Sequence, residues 1–200
     1  MAKHDFSNYL SPLSWRYGSD AMRRMFSEQH KYELWRTIWV ALARAQTKAG
    51  LVSAGELADL VAHQQDIDIE RILELEKETK HDVMAAIREF GEKARVGGGK
   101  IHVGATSMDI VDNADTMRTT EALALIKKQL TSLLHAFSKK VTQYADFVCM
   151  GYTHLQPAEP TTLGYRFAFY AHEFLLAYEF LTYVQKTLTT KGMKGAVGTQ

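Results

Sequence analysis

Hydrophobic positions recur every three or four residues along most of the chain. Leu34, Trp35, Ile38, Trp39, Leu42 and Ala45 form one apolar stripe, the mark of an amphipathic helix. The spacing predicts a helix capped by Ser19 or Asp20, running to about Lys48 and closed at Gly50. Ser53 and Glu56 form a capping-box pair that opens a short helix. Asp68 is expected to cap another, with Ile69, Ile72 and Leu73 inward. Thr79 is expected to cap a third, with Val83, Ala86, Ile87 and Phe90 on one side. Gly97-Gly98-Gly99 is a break.

The second half reads differently. From about Ser107 to Val148 there is neither proline nor glycine, and Ile126, Leu130, Leu133, Phe137, Val141, Tyr144 and Val148 keep the helical period. A helix of ~40 residues is ~60 Å long. A compact chain of this size is only ~42 Å across. A second long helix, from about Thr162 to Thr189, carries Phe167, Phe169, Tyr170, Phe174, Tyr178, Phe180 and Tyr183 in nearly every direction. A helix apolar all round must be buried on several sides. These two helices are therefore expected to join a larger bundle, completed by other subunits or by further sequence. Trp35, Trp39 and the aromatics of the last helix read as core. The fold class is all-α, with a small N-terminal helical domain over 1–105 and the first part of a central helical bundle over 106–200.

Composition narrows the function. Lys and Arg number 24 against 23 Asp and Glu, a net charge of +1, without the basic excess of a general nucleic-acid binder. Any anion must be gripped by local groups. Cys149 is the single cysteine, which excludes an internal disulfide and points to a reducing compartment. No apolar run approaches the ~20 residues that span a bilayer, and the start has no apolar signal region. The expectation is a cytoplasmic protein that contacts neither membrane nor nucleic acid. The glycine-rich stretch 191–200 is of the kind that joins two elements, so the chain is expected to be a piece of a longer one.

Familiar motifs are absent. His172-Glu173 is followed by Leu176, not by a second histidine, and one cysteine supplies no zinc ribbon, so no metal is expected. Gly99-Lys100 lacks the rest of a phosphate-binding loop. Four polar segments stand out instead: residues 14–18, 79–85, 101–109 and 152–160. Thr106-Ser107 opens the longest helix, where free N–H groups and a partial positive charge suit a carboxylate or phosphate. Lys80, His81 and Asp82 can hold an anion, with Asp82 orienting His81. His154 sits in a turn before Pro157 and is a candidate general acid. Arg16 and Tyr17 can clamp a phosphate. Each has a plainer reading as well. Thr106 or Ser107 can be an ordinary cap, the charges a solvated first turn, His154 an ordinary loop histidine and Arg16 a surface ion pair.

Together, Ser11-Pro12-Leu13-Ser14-Trp15-Arg16-Tyr17, Lys80-His81-Asp82-Val83-Met84-Ala85, Gly104-Ala105-Thr106-Ser107 and Thr153-His154-Leu155-Gln156-Pro157-Ala158-Glu159-Pro160 resemble the adenylosuccinate lyase branch of the fumarase/aspartase superfamily. Lys194-Gly195-Ala196-Val197-Gly198-Thr199 also matches, so the resemblance covers essentially the whole chain. It implies release of fumarate from adenylosuccinate, giving AMP, and from the succinylamino-carboxamide ribotide of purine synthesis, without cofactor or metal. By the same resemblance His154 is the general acid. Arg16 and Tyr17 match substrate-binding positions, as do Lys80, His81 and Asp82 near the phosphate. Thr106 and Ser107 lie near its succinyl carboxylates, and His102 matches a site histidine of part of the family. Lys80 stands where many relatives have arginine, which keeps the charge and gives up the bidentate fork.

The resemblance implies that the intact protein is a homotetramer with sites at the junction of three subunits. Its general base is a serine in a Gly-Ser-Ser-x-Met-Pro-type loop absent from these 200 residues. The chain is therefore expected to hold part of a site and to be inactive alone. Two other readings compete: a sibling such as argininosuccinate lyase, and a non-catalytic helical interaction module.

Overall fold

Ser27 breaks the expected first helix in two. The computed structural model describes residues 9–199. Helix α1 spans Asp20–Met25, and Ser19 caps it by accepting the Met22 N–H. Helix α2 spans Glu28–Lys48, and Ser27 caps it by accepting the His30 N–H. A serine hydroxyl offers the backbone a local alternative to the helical ladder, and here it restarts the helix. Helix α3, Ala54–Ala62, opens on the expected reciprocal box between Ser53 and Glu56. Helix α4, Ile69–Thr79, is capped by Asp68.

Helix α5, Asp82–Lys93, is capped by His81 and not by Thr79. Thr79 is still the last residue of α4. The chain reverses at Lys80, whose φ of 55° is left-handed. Helix α6 spans Ser107–Gln143 and ends short of the expected Val148. Strand β1, Val148–Thr153, pairs antiparallel with β2, Gln156–Thr162. Helix α7, Leu163–Thr187, follows, capped by Thr162. The fold class is all-α, with this small two-stranded sheet as the one departure among the described residues.

Two compact units emerge. The first comprises the described residues through Thr119 together with those from Thr189; the second is Thr120–Leu188. The core of the first holds Trp35, Trp39, Leu60, Ile72, Val83, Phe90 and Ile110. Trp35 meets Tyr32 edge-on with ring centres 5.3 Å apart and Trp39 at 6.1 Å. Such aromatic pairs add to plain burial. Through this core runs an ion pair between Arg36, 2% exposed, and Glu89, 0% exposed. Arg36 also donates to the His63 carbonyl, and the second Glu89 oxygen accepts the Asp68 N–H at 3.0 Å. The guanidinium lies 4.1 Å from the Phe90 ring centre. Buried charges are tolerated when every donor and acceptor is met, and this pair joins α2 and α5 to the end of α3 and the start of α4.

In the second unit, Phe137 of α6 stacks on Phe174 of α7 at 5.6 Å, and Tyr144 meets Phe167 at 6.0 Å. A Cβ at Gly164 would lie 2.7 Å from the Tyr144 carbonyl oxygen, so only glycine lets the start of α7 approach the end of α6. One side of α7 is thus packed. Phe169, Tyr170, Phe180 and Tyr183 are each more than half exposed. Their expected place in a core is therefore corrected for this chain. One neighbouring helix covers one stripe, and a helix apolar all round needs more than one neighbour. No helix among the described residues is long and apolar enough to cross a membrane.

Candidate functional site

The head of α6 is built around a buried carboxylate. Thr106 precedes the helix, and its N–H donates to Asp109 at 3.0 Å. The Asp109 N–H donates back to the Thr106 carbonyl at 2.9 Å. Asp109 is fully buried and accepts three more donors, all from the tail. These are the Lys194 N–H at 3.1 Å, the Gly195 N–H at 2.9 Å and the Lys191 ammonium at 3.3 Å. Burial pushes its acidity weaker. The Thr106, Lys194 and Gly195 N–H groups and Lys191 outweigh that and hold the pKa at about 2. Asn113, one turn on, exchanges two hydrogen bonds with Gly192, both at 3.0 Å. The tail is thereby fastened beside Thr106 and Ser107.

Asp109 is a structural residue of the site outside the expected set. The signal was an acidic residue three places after a threonine, the second half of a capping box.

His81 reaches the same helix end. Its Nε2 lies 3.4 Å from Ser107 Oγ, and its Nδ1 lies 3.4 Å from the Met84 N–H that it caps. A ring nitrogen that accepts carries no proton. The proton therefore sits on Nε2, which donates to Ser107 Oγ and leaves the serine's own hydrogen free for a ligand. The structure thus joins two expected site residues from segments 26 positions apart. Asp82 lies 3.5 Å from His81 Nδ1, yet its carboxylate accepts the Val83 N–H at 2.7 Å. The Met84 N–H, not Asp82, takes the lone pair of His81 Nδ1. Lys80 is exposed at the left-handed corner, and its ammonium makes no ion pair among the described residues. His102, with φ of 68°, accepts the Trp39 indole N–H at Nδ1, 3.1 Å away.

Arg16 and Tyr17 occupy an exposed π-helical turn, Leu13–Tyr17. Arg23 pins that turn by donating to the Ser14 and Trp15 carbonyls at 3.2 and 3.1 Å. Arg16 lies over the Trp15 ring at 5.5 Å. No hydrogen bond links either residue to His81 or Ser107.

His154 belongs to the second unit. It and Leu155 form the two-residue loop of the hairpin, with φ of 52° and 63°. Two left-handed residues make a type I′ turn, normally the place of Asn-Gly. Holding non-glycine residues there costs about 1 kcal/mol each. The exchange lifts an exposed imidazole to the hairpin tip. No group of three metal-ligating side chains occurs among the described residues.

A protein family described as lyase matches residues 16–200. Adenylosuccinate lyase of Methanocaldococcus jannaschii is 39% identical over 193 residues, covering 95% of this chain and 42% of the relative. That of Saccharomyces cerevisiae is 34% identical over 200 residues, covering 98% and 42%. A fumarate lyase from Mesorhizobium sp. BNC1 superposes with a TM-score of 0.84 at 28% identity, over 92% of this chain and 44% of that one. A 3-carboxy-cis,cis-muconate lactonizing enzyme from Pseudomonas putida gives 0.83 at 27%, over 90% and 43%. The chain spans less than half the length of the curated relatives it matches.

Proposed function

The chain belongs to this lyase family, and from that premise we propose that it carries part of a site that eliminates fumarate from adenylosuccinate. The proposed reaction removes a proton from the carbon beside a carboxylate. Its electrons form the new C=C bond as the C–N bond breaks, and the nitrogen leaves with a proton. Negative charge grows on the carboxylate meanwhile, so donors aimed there lower the barrier.

The observation that carries the reading is the His81–Ser107 contact at the head of α6. His81 donates to the serine oxygen, so the serine hydrogen and the adjoining helix end face an incoming carboxylate. Thr106 is held in register by Asp109. Lys80, exposed at the corner before His81, offers a point charge to a phosphate, and Arg16 and Tyr17 serve the same end of the nucleotide. Asp82, beside His81, completes this binding set. His154 is the general acid, raised on its strained turn to protonate the leaving nitrogen. The same set serves the succinylamino-carboxamide ribotide. No cofactor or metal enters this scheme. The intact protein is proposed to be a cytoplasmic homotetramer, in which further subunits cover the exposed aromatics of α7.

A chimera tests the reading: this chain replaces the segment it matches in the M. jannaschii relative. Turnover of adenylosuccinate, but not argininosuccinate, is expected. His154→Gln should lower turnover by ~10²–10⁴ while leaving the assembly size unchanged. A folded chimera that prefers argininosuccinate, or that ignores His154→Gln, refutes it. Indifference to His154→Gln would favour a purely interacting role for α7.

A further inference from the structure

Trp39 is 2% exposed on α2, and its indole N–H points at His102 Nδ1, 3.1 Å away. The two rings meet edge to face, at 84° with centres 6.2 Å apart. An indole nitrogen donates and never accepts. Nδ1 must therefore present a lone pair, and the neutral ring keeps its proton on Nε2. The opposite tautomer, and the imidazolium, would each aim an N–H at another N–H.

The backbone around His102 is fixed as well. Ile101 is buried before it, and Gln46 donates to the Val103 carbonyl after it at 2.7 Å. His102 itself is left-handed, a conformation that persists in a non-glycine residue only where the surroundings over-determine it. Burial holds the imidazole below its usual range; Asp109 opposes this and His81 adds to it. Those two are the site groups described above, so His102 shares their field. Its Nε2 has no hydrogen-bond partner among the described residues. Simple satisfaction of a buried indole does not account for the contact. Trp35, on the same helix, leaves its own Nε1 buried without a partner, so this core tolerates an unpaired indole.

We propose that Trp39 is a positioning residue that fixes His102 as the Nε2–H tautomer, an uncharged hydrogen-bond donor for a carboxylate or carbonyl oxygen of the ligand. The ligand named here rests on the lyase reading; the tautomer does not. An uncharged donor adds to the serine hydroxyl without bringing in a further positive charge.

Nitrogen-15 NMR of the 200-residue chain tests it. His102 is expected to show a protonated Nε2, a bare Nδ1, a titration midpoint below the usual ~6.5 and a scalar coupling through the hydrogen bond to Trp39 Nε1. Trp39→Phe keeps a ring and removes the donor. It should raise the Nδ1–H population several-fold and move the midpoint upward. A wild-type Nδ1–H tautomer overturns the proposal, as does a folded Trp39→Phe protein with unchanged tautomer and midpoint. If that variant does not fold, the wild-type coupling decides: its presence supports the lock and its absence overturns it. Titration with fumarate, read at the Thr106 and Ser107 amides, examines the lyase site separately. Silence there with the lock intact counts against the function and not against the tautomer.

Discussion

Replacing Asp109 by asparagine keeps its size and removes its charge. In the native site one carboxylate oxygen takes Lys191 and Lys194, and the other takes Thr106 and Gly195. An amide retains one accepting oxygen and turns an NH2 group toward the remaining donors. At least one charge-assisted bond is lost, and one backbone N–H then faces another donor. Hydrogen bonds to charged groups contribute about 1.5–3 kcal/mol each. A second route leads to a similar figure. The pKa of about 2, set against ~3.9 for an unperturbed aspartate, corresponds to about 2–3 kcal/mol above both values. Asp109→Asn should therefore destabilise the fastened tail by about 2–3 kcal/mol.

The sign with pH follows from the lowered acidity. The stabilisation is complete above the unfolded value and falls away as pH drops from about 4 to 2. The assay is amide hydrogen exchange at Gly192 and Gly195, with urea unfolding at pH 7 and pH 3. Exchange at both glycines should quicken by ~30-fold or more, since 1.4 kcal/mol is tenfold. The variant should also lose part of the acid-dependent slope. Unchanged exchange at both glycines, with an unchanged unfolding midpoint, would refute the carboxylate as the fastener of the tail.

Glu89→Ala strands the Arg36 guanidinium and should cost about 3–5 kcal/mol in urea unfolding; replacing both partners by leucine or methionine should cost far less. Gly164→Ala places a methyl group 2.7 Å from the Tyr144 carbonyl oxygen and should destabilise the second unit by about 1–3 kcal/mol, read by thermal melting. Leu155→Gly relieves a left-handed residue at the hairpin tip and should stabilise the hairpin by about 1 kcal/mol, seen as slower exchange at β1 amides. In the chimera, Ser107→Ala should lower kcat more than it raises KM, because the hydroxyl matters most when charge builds on the carboxylate.

Local chemistry was legible in the sequence and distant chemistry was not. Ser53 with Glu56, and Asp68 before Ile69, act over three residues, and both caps stand as read. His81 displaced Thr79 as a cap because one left-handed residue, Lys80, moved the helix start. The hairpin escaped notice for two reasons. His154-Leu155 has none of the usual turn residues, and Pro157 and Pro160 argue against a strand. The exposed rings of α7 show the limit of periodicity. A pattern says that a face is apolar, but the cover comes from elsewhere. The four site segments stand out by their own polar residues, and the resemblance adds their roles, whereas the Asp109–Lys194 bond links positions 85 apart, and no local pattern announces it. The Trp39–His102 bond, across 63 positions, escaped for the same reason.

The hairpin tip carries a further consequence. A library randomised at 154 and 155 and screened only for heat resistance should drift toward Asn-Gly, the pair that fits a mirror-image turn without strain. That drift would discard the imidazole.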